Sequence, residues 1–111
     1  MNLKFLLFYF FLNFFSNNFN FETKKSISGK DLFEKHCSAC HSNGNNIIIP
    51  EKNLFYKTLE ENGMNKVEAI NYQILNGKNG MPAFGGRLTE AQINNISIYI
   101  LEKSLTNFDT K

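Results

Sequence analysis

Two cysteines three positions apart, with a histidine directly after the second, constrain this chain more than any other feature: Cys37-Ser38-Ala39-Cys40-His41. They are its only cysteines, and His36 is its only other histidine. Residues three and four apart on a helix share a face, so one turn brings both thiols and the imidazole to the same side. Such a turn suits two thioether bonds to the edge of a haem, with the imidazole reaching the iron beneath the ring, which is how C-x-x-C-H reads. Other uses of the cysteines fit poorly. A secreted disulfide scaffold of this size carries four or more, and a tetrahedral zinc site needs two further Cys or His ligands. A thioredoxin-like dithiol needs a βαβ surround, and the chain has no run of alternating strands.

The residues around the motif read as all-α, with about four helices. The first starts at Ser28 as N-cap, with Asp31 three residues on, and runs through Leu32, Phe33 and His36 into the cysteines. A second spans Asn53 to Glu61 and stops before Asn62-Gly63. The third takes Asn65 as N-cap and Glu68 at its third position, aligns Val67, Ile70 and Ile74, and stops at Gly77. The fourth follows Thr89, with Gln92 closing a capping box. It places Ile93, Ile96 and Ile100 on one stripe beside Tyr99 and Leu101. Asn95-Ile96-Ser97 matches a glycosylation sequon, but its place inside a helix argues against modification. Heavy use of Asn and Phe is read as AT-rich coding bias rather than function.

The N-terminus reads as an address. Lys4 precedes an apolar run from Phe5 to Phe15, broken only by Asn13. About 11 residues is too short for the roughly 20 that span a bilayer as a helix, so the pattern is that of a signal peptide over 1–23, with an uncleaved membrane tether as rival. No A-x-A-like triplet marks the cut, which is placed between 21 and 26. A single domain over 24–111 remains, about 88 residues, near the lower end for one hydrophobic core. A buried macrocycle would enlarge that core. The net charge is +2 and stays so without Lys4 and Glu22. Two haem propionates would cancel it, so neither nucleic-acid binding nor strong membrane-surface attraction is expected.

Gly77 to Arg87 forms a loop with four glycines, Pro82 and the apolar residues Met81 and Phe84. Apolar residues on a connection suggest that it covers something. Pro82 pushes Met81 away from the α region toward an extended backbone, suited to sending a thioether toward an iron. Met64 and His36 compete for that role, although Met64 precedes the third helix and His36 adjoins Cys37 on the first. His plus Met ligation raises a haem's potential and fills both axial positions, which suits electron transfer.

From Gly29 onward the chain resembles the soluble class I cytochromes c of oxygenic photosynthesis, the cytochrome c6 or c553 family. The resemblance rests on C-S-A-C-H-S-N-G-N-N-I-I-I-P-E-K, on N-G-M-N, and above all on Y-Q-I-L-N-G-K-N-G-M-P-A-F-G-G-R-L. It implies a class I cytochrome c fold with one covalently bound haem c, His41 and Met81 as iron ligands, and no catalysis of bond chemistry. It further implies a monomeric carrier in the thylakoid lumen of a plastid or cyanobacterium, taking electrons from cytochrome f of the cytochrome b6f complex to photosystem I. A respiratory cytochrome c feeding a terminal oxidase, tethered or free, is the alternative. By the same resemblance, Pro50 is the loop proline whose carbonyl orients the imidazole, Gln73 tunes the potential and Arg87 serves docking. Phe108 stands where the family often has Trp.

Overall fold

Helix α1 spans Gly29–His36 in the computed structural model, which describes residue 4 and residues 27–109. The expected signal peptide, apart from Lys4, and its cleavage region lie outside the described residues. Ser28 caps α1 from an extended backbone, its Oγ accepting the Asp31 N–H at 3.1 Å. Asp31 in the first turn and Lys35 and His36 in the last complement the helix dipole.

The helix does not continue unbroken into the cysteines. It ends at Cys37, whose φ is −118°, and the one-turn helix α2 resumes over Ser38–His41. The Ser38 hydroxyl donates back to the carbonyl of Glu34. Such a back-bond competes for a carbonyl of the helical ladder and bends the path. The path is still helical in sense, because Cys37 N–H bonds the Phe33 carbonyl at 2.8 Å and His41 N–H bonds that of Cys37 at 2.9 Å.

Two short 3₁₀ turns follow, Ser42–Gly44 and Pro50–Lys52. Helix α3, Tyr56–Glu61, begins three residues later than its sequence suggests. Asn53 is used for a turn instead, its Oδ1 accepting the Phe55 N–H at 3.2 Å, and Phe55 caps from an extended conformation. Helix α4, Val67–Asn76, is capped by Lys66 rather than Asn65, so Glu68 is its second residue, and it ends at Gly77. Helix α5, Glu90–Ser104, opens on the expected capping box: Thr89 Oγ1 accepts from Gln92 N at 3.1 Å and Gln92 Oε1 from Thr89 N at 2.8 Å.

α5 is the floor on which α1 and α4 pack. α1 comes closest at Gly29, where a Cβ would run into the Asn95 carbonyl and stand 3.0 Å from Tyr99 Cβ. Across the other seam, Asn71 Nδ2 donates to Asn94 Oδ1 at 3.1 Å. The stripes meet as their spacing suggests: Leu32 and Phe33 of α1, Ile70 and Ile74 of α4, and Ile93, Ile96 and Ile100 of α5 form one core with Leu59, Phe84 and Phe108. Phe108 is buried against Phe33, ring centroids 5.9 Å apart, and occupies the space that a side chain on Gly44 would need. Ile96 and Ser97, the second and third positions of the sequon, are fully buried. Among the described residues there is no strand beyond isolated bridges, and no helix is long and apolar enough to cross a membrane.

Candidate haem site

The bend between α1 and α2 carries the motif. Cys37, Cys40 and His41 are all half-buried, and both thiols are free. Burial, and then the neighbouring Cys40, push the Cys37 thiol up to about 11. A thiol that resists ionisation at neutral pH is a poor nucleophile, the reverse of what dithiol exchange needs. Nor do these residues converge on a point: among the described residues no group of three or more His, Cys, Asp or Glu could hold a bare ion.

His41 is oriented by the backbone. Its Nδ1 lies 3.0 Å from the carbonyl oxygen of Asn45. A carbonyl can only accept, so Nδ1 carries the proton and Nε2 presents its lone pair. Burial lowers the imidazole's pKa, with the Asn45 bond acting the other way, so the ring is neutral at pH 7 and able to ligate.

This corrects the expectation for Pro50. The Pro50 carbonyl accepts from Asn53 Nδ2 at 3.3 Å, and Pro50 is exposed at the start of its own 3₁₀ turn. The chain reverses immediately after His41, through the Ser42–Gly44 turn with Asn43 at φ 56°, and so returns a carbonyl to the imidazole before it reaches Pro50. Asn46 secures the returning strand of chain: Oδ1 accepts from Ile48 N at 3.0 Å and Ile49 N at 2.9 Å, while Nδ2 donates to Lys52 O at 3.0 Å. The Asn-rich stretch thus builds the site rather than merely reflecting codon usage. An Asn followed by backbone N–H groups two and three residues on is the turn signal that would have shown it.

The second candidate ligand sits on the Gly77 to Arg87 loop. Gly77 has φ 66°, and a Cβ there would collide with the Met81 carbonyl, so only glycine allows the loop to fold back on itself. Lys78 and Met81 then exchange backbone hydrogen bonds, at 3.0 and 2.9 Å. Met81 is half-buried against the core, and Gln73 Nε2 on α4 donates to its Sδ at 3.9 Å. The structure therefore brings Gln73 and Met81 together. It also sets the two loops side by side, since a Cβ on Gly80 would lie 3.5 Å from Ile48 Cγ2.

The competitors are occupied elsewhere. Met64 packs on the core. His36 is half-buried, its ring edge-on to Phe84 with centroids 6.1 Å apart. Arg87 is exposed, with its guanidinium 4.7 Å over the same Phe84 ring. Two free thiols on one turn, a neutral imidazole with Nε2 free and a thioether held by an amide make a donor set that fits haem c and no bare metal.

An all-α fold with that donor set defines a class I c-type cytochrome. The family model described as Cytochrome C oxidase, cbb3-type, subunit III matches residues 26–100. Cytochrome c6 of Gracilaria tenuistipitata var. liui is 49% identical over 102 residues, covering 89% of this chain and 94% of that one. Cytochrome c6 of Bumilleriopsis filiformis is 51% identical over 82 residues, covering 74% and 95%. The structure of cytochrome c6 from the diatom Phaeodactylum tricornutum superposes with a TM-score of 0.69 at 40% identity, covering 71% of this chain and 93% of that one. The chain belongs to the cytochrome c6 family. It is a c-type cytochrome that binds one covalently attached haem c and carries electrons.

Proposed function

We propose that this chain carries electrons from cytochrome f of the cytochrome b6f complex to photosystem I in the thylakoid lumen, as a monomer of residues 24–111 left after removal of the 1–23 signal peptide. Cys37 and Cys40 would hold the haem by thioethers, and His41 Nε2 and Met81 Sδ would ligate its iron. The bound haem supplies a one-electron couple. What supports the assignment of ligands is that each is held by its own hydrogen bond, His41 by the Asn45 carbonyl and Met81 by the Gln73 amide. Ligands set before the metal arrives need little reorganisation, and partner bonds of this kind also tune the metal. A thioether ligand would favour ferrous iron and so a relatively oxidising carrier.

Met81→Ala tests the ligand set. The variant should keep covalent haem on a stained gel, show a markedly lower reduction potential and bind carbon monoxide in the ferrous state. An unchanged potential would transfer the role to Met64 or another group.

The second reading, a respiratory carrier donating to a terminal oxidase, draws on the oxidase-subunit description of the matching family model. Flash kinetics with isolated photosystem I, run beside oxidase assays, separate the two. Faster oxidation by the oxidase sinks the photosynthetic reading. Mass spectrometry of the native N-terminus shows whether Phe5 to Phe15 are retained as a tether.

A further inference from the structure

We infer that Phe84 is a positioning residue for docking: its ring holds the Arg87 guanidinium ready for a carboxylate on an acidic redox partner. This rests on the carrier reading above. The guanidinium lies 4.7 Å over the ring centroid, inside the range of about 6 Å at which a cation is attracted to an aromatic face. The ring is a rigid platform. It is 5% exposed and forms a T-shaped pair with the His36 ring. Its backbone is tied on both sides, the N–H to the Ile74 carbonyl at 2.9 Å and the carbonyl to the N–H groups of Arg87 and Leu88, each at 3.0 Å. Arg87 is therefore anchored to Phe84 twice, through main chain and through side chain.

Among the described residues Arg87 has no carboxylate partner, although it is exposed. A guanidinium carries five N–H donors in a planar fork, and those turned away from the ring stay open for contact with a carboxylate. An arginine side chain normally gives up considerable rotamer freedom when it binds. One already laid on a ring gives up less, so the complex forms with little ordering cost. The surroundings suit a brief contact of mixed character: Leu75 is 43% exposed and lies against Gly85, two residues before Arg87. With a net charge of only +2, attraction to a partner has to come from single well-placed cations such as this one, not from a broad basic field.

The test uses the haem-loaded protein and photosystem I, with each second-order rate expressed relative to the rate with an uncharged small-molecule oxidant. Phe84→Leu should lower the ratio about two- to fivefold at low salt, the range an exposed cation–ring contact supplies. Phe84→Tyr, which keeps the ring, should restore it. In an Arg87→Gln background Phe84→Leu should have no further effect. Arg87→Lys keeps the charge without the planar fork of donors, lies on the surface whatever happens at Phe84, and should fall by a similar factor. Unaltered ratios for Phe84→Leu and Arg87→Lys, or an equal effect of Phe84→Leu with and without Arg87, overturn the positioning role and leave the carrier reading standing. If the wild-type protein fails to reduce photosystem I, the carrier reading falls instead. Titration with poly-glutamate, followed at the Arg87 Nε–H by NMR, then reads the ring contact. Several-fold weaker binding by Phe84→Leu supports it, and equal binding refutes it.

Discussion

Replacing Gly29 by alanine sets two well-characterised effects against each other, and the structure says which wins. Gly29 is the first residue of α1, where alanine is the better helix former by at most about 1 kcal/mol. Against that stands the α1–α5 crossing. An added Cβ would meet the Asn95 carbonyl, with Asn95 C at 2.7 Å and Tyr99 Cβ at 3.0 Å. The main obstacle is backbone, which cannot rotate away as a side chain can. Relief requires the helices to part by roughly 1 Å, a gap that forfeits a quarter to a half of each van der Waals well along the seam. Overpacking of this kind costs about 1–3 kcal/mol, and an unyielding neighbour places it at the upper end. The net expectation is a loss of about 2 kcal/mol, or roughly 8–16 °C in Tm for a domain of this size. Thermal and guanidinium unfolding of the haem-loaded variant, followed by circular dichroism at 222 nm, measures it. A Tm equal to or above the wild type would mean that propensity wins and that the helices do not touch at Gly29 as described.

Three further substitutions probe separate links. Gln73→Val removes the amide donor from Met81 Sδ, returning electron density to the sulfur, and should lower the reduction potential by tens of millivolts, the order of one weak hydrogen bond for a one-electron couple, read by redox titration. The Ser97 hydroxyl is fully buried without a partner, so Ser97→Ala should raise stability by about 1 kcal/mol in denaturant unfolding; a loss of that size would reveal a hydrogen bond there. Burial, then the Glu34 charge, raise the Tyr99 pKa, so folding favours the neutral phenol. That stability is complete below the unfolded value of about 10 and is lost as pH climbs from there toward the folded value. Tyr99→Phe should flatten the decline of Tm above pH 10, and an unchanged slope would assign alkaline unfolding to other groups.

Side chains that make their own hydrogen bonds leave a mark in the sequence, and these were the legible parts. Ser28 and the Thr89–Gln92 box cap α1 and α5 where expected, and the isoleucine stripes enter the core. α4 begins one residue off because Lys66 caps it by backbone conformation alone, which no residue type advertises. The bend at Cys37 was hidden for a related reason, since a serine hydroxyl can turn to water as readily as to the Glu34 carbonyl. The imidazole's partner was hidden more deeply. Every residue has a carbonyl, so only the turn after His41 decides that it is Asn45's rather than Pro50's. The contact between Gln73 and Met81 could be suspected only by likeness to a family, because the two lie eight residues apart across a glycine turn.

The seat of Phe108 against Phe33 and Gly44 has a bearing on when, rather than how, the molecule is completed. A ribosome delivers α1 and the Cys37–His41 turn early and Phe108 long afterwards. Contacts between such distant points close late, because the intervening chain must first be gathered. Through that interval Phe33 and Gly44, which flank the turn carrying both thiols, lack the ring that packs against them. A stop codon placed just after Leu105 would spare α5 and still remove that ring, separating haem attachment, which needs only the turn, from the stability gained when the chain closes.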